Sequence, residues 1–208
     1  MALRVVVDDE KQFTMHVVVD TYRRFTELSV MYTNNPVWVE HSIHIMELLL
    51  AEEKYKVVGF DLEYTCTHAG SCLKVVVAHM CVRNHVLVYH YCLATRPCEN
   101  LTRFVNNPQY MFATVDITND VKVLKTSGIA CQNLVDIEGQ YKIWGNKEHE
   151  KDSLVHLAEA IIDPYYRDMK DSCNKDKRAW HSAWMEKLDK AHVMEEHPLL
   201  HSFYPRCT

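Results

Sequence analysis

The sequence predicts an α/β domain in which a mixed sheet, an antiparallel meander plus parallel strands, is flanked by helices. Three observations carry this. Short Val-rich runs such as Val17-Val18-Val19 and Val75-Val76-Val77 read as strands, a long stretch from Val37 to Glu53 has helical spacing, and the second half of the chain turns to helical periodicity. Strands separated by helical segments imply crossovers, and two adjacent β-rich runs joined by a short polar connection imply a hairpin.

In chain order, Phe13 to Thr21 reads as a strand after a charged lead-in, expected to pair with a central strand. Asn34-Asn35-Pro36 is a turn signal, because the proline disfavours helix just before it. Val39, Ile43, Ile45, Met46, Leu48, Leu49 and Leu50 then mark an amphipathic helix leading into the Val57 strand. Leu73 to Cys81 and Val86 to Cys92 flank Arg83-Asn84-His85 and complete an antiparallel meander with the Val57 strand. Leu101 to Val105 fits a short helix stopped by Asn106-Asn107-Pro108, and Tyr110 to Val115 another strand. Helical spacing returns over Asn119 to Leu124, Asn133 to Ile137 reads as a last short strand, and Asp152-Ser153 caps a helix with Leu154, Val155, Leu157, Ala158, Ile161 and Ile162 on its apolar face.

At 208 residues, 48% hydrophobic and 25% charged, the chain is long enough to bury a full core and is read as one domain over 1–208. A formal net charge of −5 works against non-specific attraction to a nucleic-acid backbone. The eight cysteines include no Cys-x-x-Cys pair. The metal-like groupings Cys66 with His68 and Cys72, His90 with Cys92, and His192, His197 and His201 are read as core or surface residues rather than zinc ligands. No stretch of signal-peptide or transit-peptide form opens the sequence, and no run approaches the roughly 18 apolar residues of a membrane span. The expectation is a reduced, intracellular protein, cytoplasmic or nuclear. The five glycines form neither a Walker nor a dinucleotide fingerprint.

The chemistry concentrates in Val57-Val58-Gly59-Phe60-Asp61-Leu62-Glu63-Tyr64, an apolar run ending in Asp-x-Glu. Alternation along a strand puts Asp61 and Glu63 on one face, where two hard oxygen ligands suit Mg²⁺ or Mn²⁺ and phosphoryl transfer. Asp120 stands at a strand-to-helix corner, from which a carboxylate reaches the mouth of the sheet.

The order of these features, with Val58-Gly59-Phe60-Asp61-Leu62-Glu63, Asn119-Asp120-Val121-Lys122-Val123-Leu124 and Asp152-Ser153-Leu154-Val155-His156-Leu157, resembles the Werner-type 3′-5′ exonuclease domain. That domain is a ribonuclease H-like member of the DEDD (DnaQ-like) superfamily, abundant in plants and especially grasses. The resemblance runs from about Val17 to His192. It implies a ribonuclease H-like fold and a Mg²⁺ or Mn²⁺ site in which Asp61 bridges two metal ions. Glu63 would bind one ion and touch the terminal nucleotide, and Asp120 would act through the outer shell. It also implies a closing helix with a Tyr or His one turn before a final Asp.

Here the sequence departs from the family. Glu195 stands in the Tyr position and Leu199 in the Asp position, and Pro198 falls inside the expected helix, at a cost of about 3 kcal/mol if the helix continued. Leucine neither ligates a metal nor activates water, so residues 194–208 read as a divergent or truncated tail. Glu195 and His197 are the candidate substitutes in catalysis. The leading expectation is a catalytically impaired exonuclease fold acting on a protein partner, a homologue or a second copy, as regulator, inhibitor or antidote. Tyr165, Tyr166, Trp180 and Trp184 are its candidate anchors. The alternatives are an active metal-dependent 3′-5′ exonuclease on DNA or RNA and a non-hydrolytic nucleic-acid binder with no cofactor.

Overall fold

The computed structural model describes residues 3–9, 12–23, 25–66, 73–115, 117–140 and 154–168. Its strands are β1 (Leu3–Asp9), β2 (Gln12–Asp20), β3 (Phe25–Thr33), β4 (Val57–Cys66), β5 (Leu73–Val82), β6 (His85–Tyr89), β7 (Met111–Thr114) and β8 (Leu134–Asp136). The helices are α1 (Pro36–Ala51), α2 (Glu99–Val105), α3 (Ile117–Thr126) and α4 (Leu154–Ile161). All eight strands join one sheet in the order β1-β2-β3-β6-β5-β4-β7-β8. β4, β5 and β6 form the antiparallel meander, and β7 and β8 add parallel to β4. This is the mixed, helix-flanked sheet of a ribonuclease H-like fold.

The amino-terminal end extends the expected sheet. Leu3–Asp9, read from the sequence as a charged lead-in, is strand β1, which pairs antiparallel with β2 through Leu3, Arg4, Val5, Val7, Asp8 and Asp9 with a register shift at Val6. β3, not foreseen, pairs antiparallel with β2 and parallel with β6, Ser29 lying opposite His85 and Thr33 opposite Tyr89. β2 therefore lies between two added strands rather than beside a central one. Its Met15, Val17 and Val19 are buried and alternate with exposed His16 and Asp20, the period-two signature of a strand with one wet face.

β5 and β6 are buried on both faces from Val75 to Val82 and from His85 to Tyr89, so they read as near-continuous apolar runs. β6 stops at Tyr89, short of the expected Cys92, and Tyr91–Leu93 forms a 3₁₀ turn. The two strands meet at Arg83-Asn84. Arg83 has φ 55, and its guanidinium binds Glu52 (3.1 Å) and Glu53 (3.3 Å) just beyond α1.

Two cores cover the sheet. On one face α1 inserts Val39, Ile43, Met46 and Leu50 against Phe60, Met80, Leu87 and Phe112. Leu48 of the predicted stripe is exposed instead, since a helix against a flat sheet buries a single face. Asn35 caps α1 by accepting from Val37 N at 3.0 Å, and Pro36 occupies the first turn, where its missing N–H costs nothing. On the other face Met15, Val17, Leu28, Val30, Val76, Val77, Val86 and Val88 are overlaid by Leu154 and Tyr165.

Asp163, just past α4, accepts from the backbone N–H groups of Arg23 and Tyr165, both at 2.9 Å, and so latches α4 to the β2–β3 turn. Burial alone would raise its carboxyl. Hydrogen bonds from the Tyr165 backbone, the Thr21 side chain and the Arg23 backbone hold it below the usual value. The Asp152-Ser153 cap lies outside the described residues.

His85 ties β6 to α1 through a 2.6 Å contact between Nε2 and Ser42 Oγ. Burial, aided by His41, pushes its imidazole down from 6.5 to about 4. The unfolded chain therefore takes a proton that the folded one refuses. Stability is expected to be unaffected above pH 6.5 and to fall as the pH drops from 6.5 towards about 4. The slope should reach about 1.4 kcal/mol per pH unit. Urea unfolding across that range should show the decline, and His85→Gln should flatten it.

Candidate metal centre

β4 rises through Val58, Phe60 and Leu62 into the core beneath α1, so the alternating Asp61 and Glu63 point to the opposite face. On that face β5 supplies a third group. Asp61 lies directly opposite His79 in the antiparallel register, and cross-strand partners share a face. The ligand atoms of Asp61, Glu63 and His79 all lie within 4.8 Å of one another. His79 Nδ1 is 3.6 Å from Asp61 Oδ2, the histidine side chain 2% and the aspartate side chain 34% exposed. Immediately after Glu63 the register slips, Glu63 facing Val77 and Tyr64 facing Val75, so that Val76 forms a bulge. Bulges beside a site re-aim the neighbouring side chains. Here Val76 and Val77 both turn to the core on the carboxylate face.

Asp120 is placed differently. It sits in the first turn of α3, buried, and its Oδ2 accepts a short hydrogen bond from Thr114 Oγ1 at the end of β7. Among the described residues, the group whose ligand atoms lie close enough together to share a cation is Asp61, Glu63 and His79, without Asp120. Just past the end of α3, Gly128 has a φ of 71, the left-handed conformation that closes a helix, with Ile129 N bonded back to Leu124 O at 2.9 Å. Glu195, His197, Leu199, Trp180 and Trp184 lie outside the described residues.

The donor set fits a divalent cation. Two carboxylates supply hard oxygen and the imidazole a nitrogen of intermediate softness. Sequence reasoning found Asp61 and Glu63 but missed His79. Its signal is a single histidine inside the otherwise apolar run Val75 to Val82, but its alignment with Asp61 follows from a pairing register that no short turn specifies.

Of the sulfur and nitrogen groupings only His90 with Cys92 falls wholly within the described residues; the Cys66 side chain, His68, Cys72, His192, His197 and His201 lie outside them. His90 Nδ1 is 2.7 Å from the Tyr32 hydroxyl in the buried core, while Cys92 is exposed. Cys81, Cys92, Cys98 and Cys131 are free thiols. Burial pushes Cys81 up to about 12 and Cys131 up to about 11, which keeps them protonated and poor as ligands. Of the candidate anchors, Tyr166 is fully buried in the core, and Tyr165 is half-buried with its ring 6.0 Å from that of Tyr22.

The family model described as 3′-5′ exonuclease matches residues 36–195, well over half of the chain. The chain belongs to this 3′-5′ exonuclease family. Solved structures of the same fold include Trypanosoma brucei RNase D in complex with GMP, at a TM-score of 0.68 and 11% identity over 84% of this chain and 54% of that one. The catalytic core of RRP6 from Trypanosoma brucei gives a TM-score of 0.58 and 17% identity, covering 83% of this chain and 44% of that one. The Aedes aegypti Nibbler EXO domain gives 0.57 and 11%, covering 79% and 78%. This exonuclease domain thus spans about half the length of the RNase D and RRP6 chains. No curated protein gives a significant sequence match. Among the described residues of the domain, no helix is long and apolar enough to cross a membrane.

The Thr114–Asp120 bond fixes the corner between β7 and α3. Thr114→Val keeps the shape and removes a donor to a buried carboxylate. It is expected to cost about 1–3 kcal/mol, read as a lower urea midpoint with unchanged slope.

Proposed function

We propose that this protein is an exonuclease-fold member whose nuclease turnover is impaired and which acts by binding another protein as a regulator, inhibitor or antidote. A homologous exonuclease or a second copy of the chain is the partner. The observation that supports the reading is the make-up of the described site: Asp61 and Glu63 group with a histidine, His79, and Asp120 accepts a hydrogen bond from Thr114. The sequence adds Leu199 and Glu195 at the positions where the family closes its site, and the matched region ends at residue 195. In-line displacement needs groups that clamp both the attacking and the leaving oxygen, so a site short of ligands loses orders of magnitude in rate.

Asp61 and Glu63 would hold Mg²⁺ or Mn²⁺, which when bound would polarise a phosphoryl oxygen. For a protein partner, β1 presents the outer edge of the described sheet, and Tyr22 and Phe25 expose aromatic surface at the β2–β3 turn, 67% and 63% accessible. The net charge of −5 weighs against a non-hydrolytic nucleic-acid binder. A reduced intracellular setting, cytoplasmic or nuclear, accords with the free thiols.

The second reading, an active exonuclease, is favoured by the intact Asp61 and Glu63 pair. One assay separates the two. End-labelled single-stranded and recessed-duplex DNA and RNA incubated with Mn²⁺ should remain full length with the wild type and with Asp61→Ala/Glu63→Ala alike. The protein, added in excess to an active exonuclease of the family, should slow that enzyme. Metal-dependent 3′ shortening that disappears in the double variant would overturn the impaired reading, and an unchanged rate of the active enzyme would remove inhibition of a homologue.

A further inference from the structure

We propose that Asp61, Glu63 and His79 form a mixed oxygen–nitrogen site for a single transition-metal dication, binding Zn²⁺ above Mn²⁺ and Mn²⁺ above Mg²⁺, with His79 as the selecting ligand. This rests on the reading of Asp61 and Glu63 as cation ligands and is independent of whether the chain turns over nucleic acid.

The geometry is that of a chelate. The 3.6 Å between His79 Nδ1 and Asp61 Oδ2 is longer than a hydrogen bond. Two ligands each about 2.1 Å from a common tetrahedral ion stand about 3.4 Å apart, close to that spacing. Glu63 completes a three-donor cradle, all ligand atoms falling within 4.8 Å. The histidine side chain is 2% exposed and the aspartate 34%, so an ion enters from the carboxylate side and meets the nitrogen at the base of the site.

Backbone pairing already holds His79 opposite Asp61, and the flanking Ala78 and Met80 pack into the core of the other face, so the imidazole is placed before any ion arrives. A nitrogen ligand changes selectivity. Mg²⁺ prefers oxygen and gains little from imidazole, whereas affinity for nitrogen-containing sites rises from Mn²⁺ to Zn²⁺.

The test titrates Mn²⁺ into the full chain and follows loss of the free-ion electron paramagnetic resonance signal, then competes with buffered Zn²⁺ and with Mg²⁺. It uses wild type, Asp61→Asn and His79→Gln, each checked for folding by its thermal melt. The expected result is one Mn²⁺ per chain, displaced by far less Zn²⁺ than Mg²⁺. His79→Gln should narrow the Zn²⁺-to-Mg²⁺ preference at least about tenfold, the smallest loss found when even an indirect partner of a metal is removed. An unchanged preference in His79→Gln alongside lost binding in Asp61→Asn would overturn the role of His79 alone. Undiminished Mn²⁺ binding in Asp61→Asn would overturn the cation site itself.

If His79→Gln fails to fold, histidine-labelled wild type with substoichiometric Mn²⁺ decides. The His79 imidazole resonances should broaden before those of His90, which is bonded to Tyr32 in the core. Equal or later broadening of His79 would overturn the proposal.

Discussion

The antiparallel pairing of β4 with β5 is the constraint on which the rest depends. Side chains alternate with a period of two, so a slip of one residue would turn His79 towards the helices and bring Ala78 or Met80 against Asp61. The slip is prevented because β5 is buried on both faces from Val75 to Val82, its apolar side chains there divided between two cores. The same pairing that buries Val75, Ala78 and Met80 beneath α1 therefore aligns the polar cluster on the other side. Stability and site geometry arise from a single register.

Much of the sheet was legible from residue patterns. The β4–β5–β6 meander, α1 behind its Asn35-Pro36 start and the crossover into β8 all follow local signals that tertiary packing did not overrule. The amino-terminal strands were less legible for a physical reason. β1 ends in Asp8-Asp9 and β3 begins with exposed Phe25 and Glu27, so these ends obscure the strand pattern, in β3 the apolar alternation of Leu28, Val30 and Tyr32. β1 lies at the sheet edge, where polar residues are favoured, and polarity weakens the strand signal.

The site was half legible. Asp61 and Glu63 lie two residues apart on one strand, and that spacing alone sets their common face. His79 and Asp120 depend on where separate elements come to rest. At the strand-to-helix corner the Asp120 carboxylate is held by Thr114 at the end of β7, a partner that spacing along the chain does not announce. Pairwise contacts of this kind have no one-dimensional signature.

The parallel seam between β3 and β6 has a consequence for how far the chain can be shortened. β6 is buried along its whole length, His85 through Tyr89, and its outer backbone is engaged by Ser29 through Thr33. The family-matched stretch that begins at α1 is therefore joined to the amino-terminal strands through this seam. Severed from its first thirty-odd residues, it would present an open, apolar strand in the middle of what is now an interior, and such a surface invites self-association through backbone pairing. The leading ribbon covers that strand and moves this border of the sheet outward to β1.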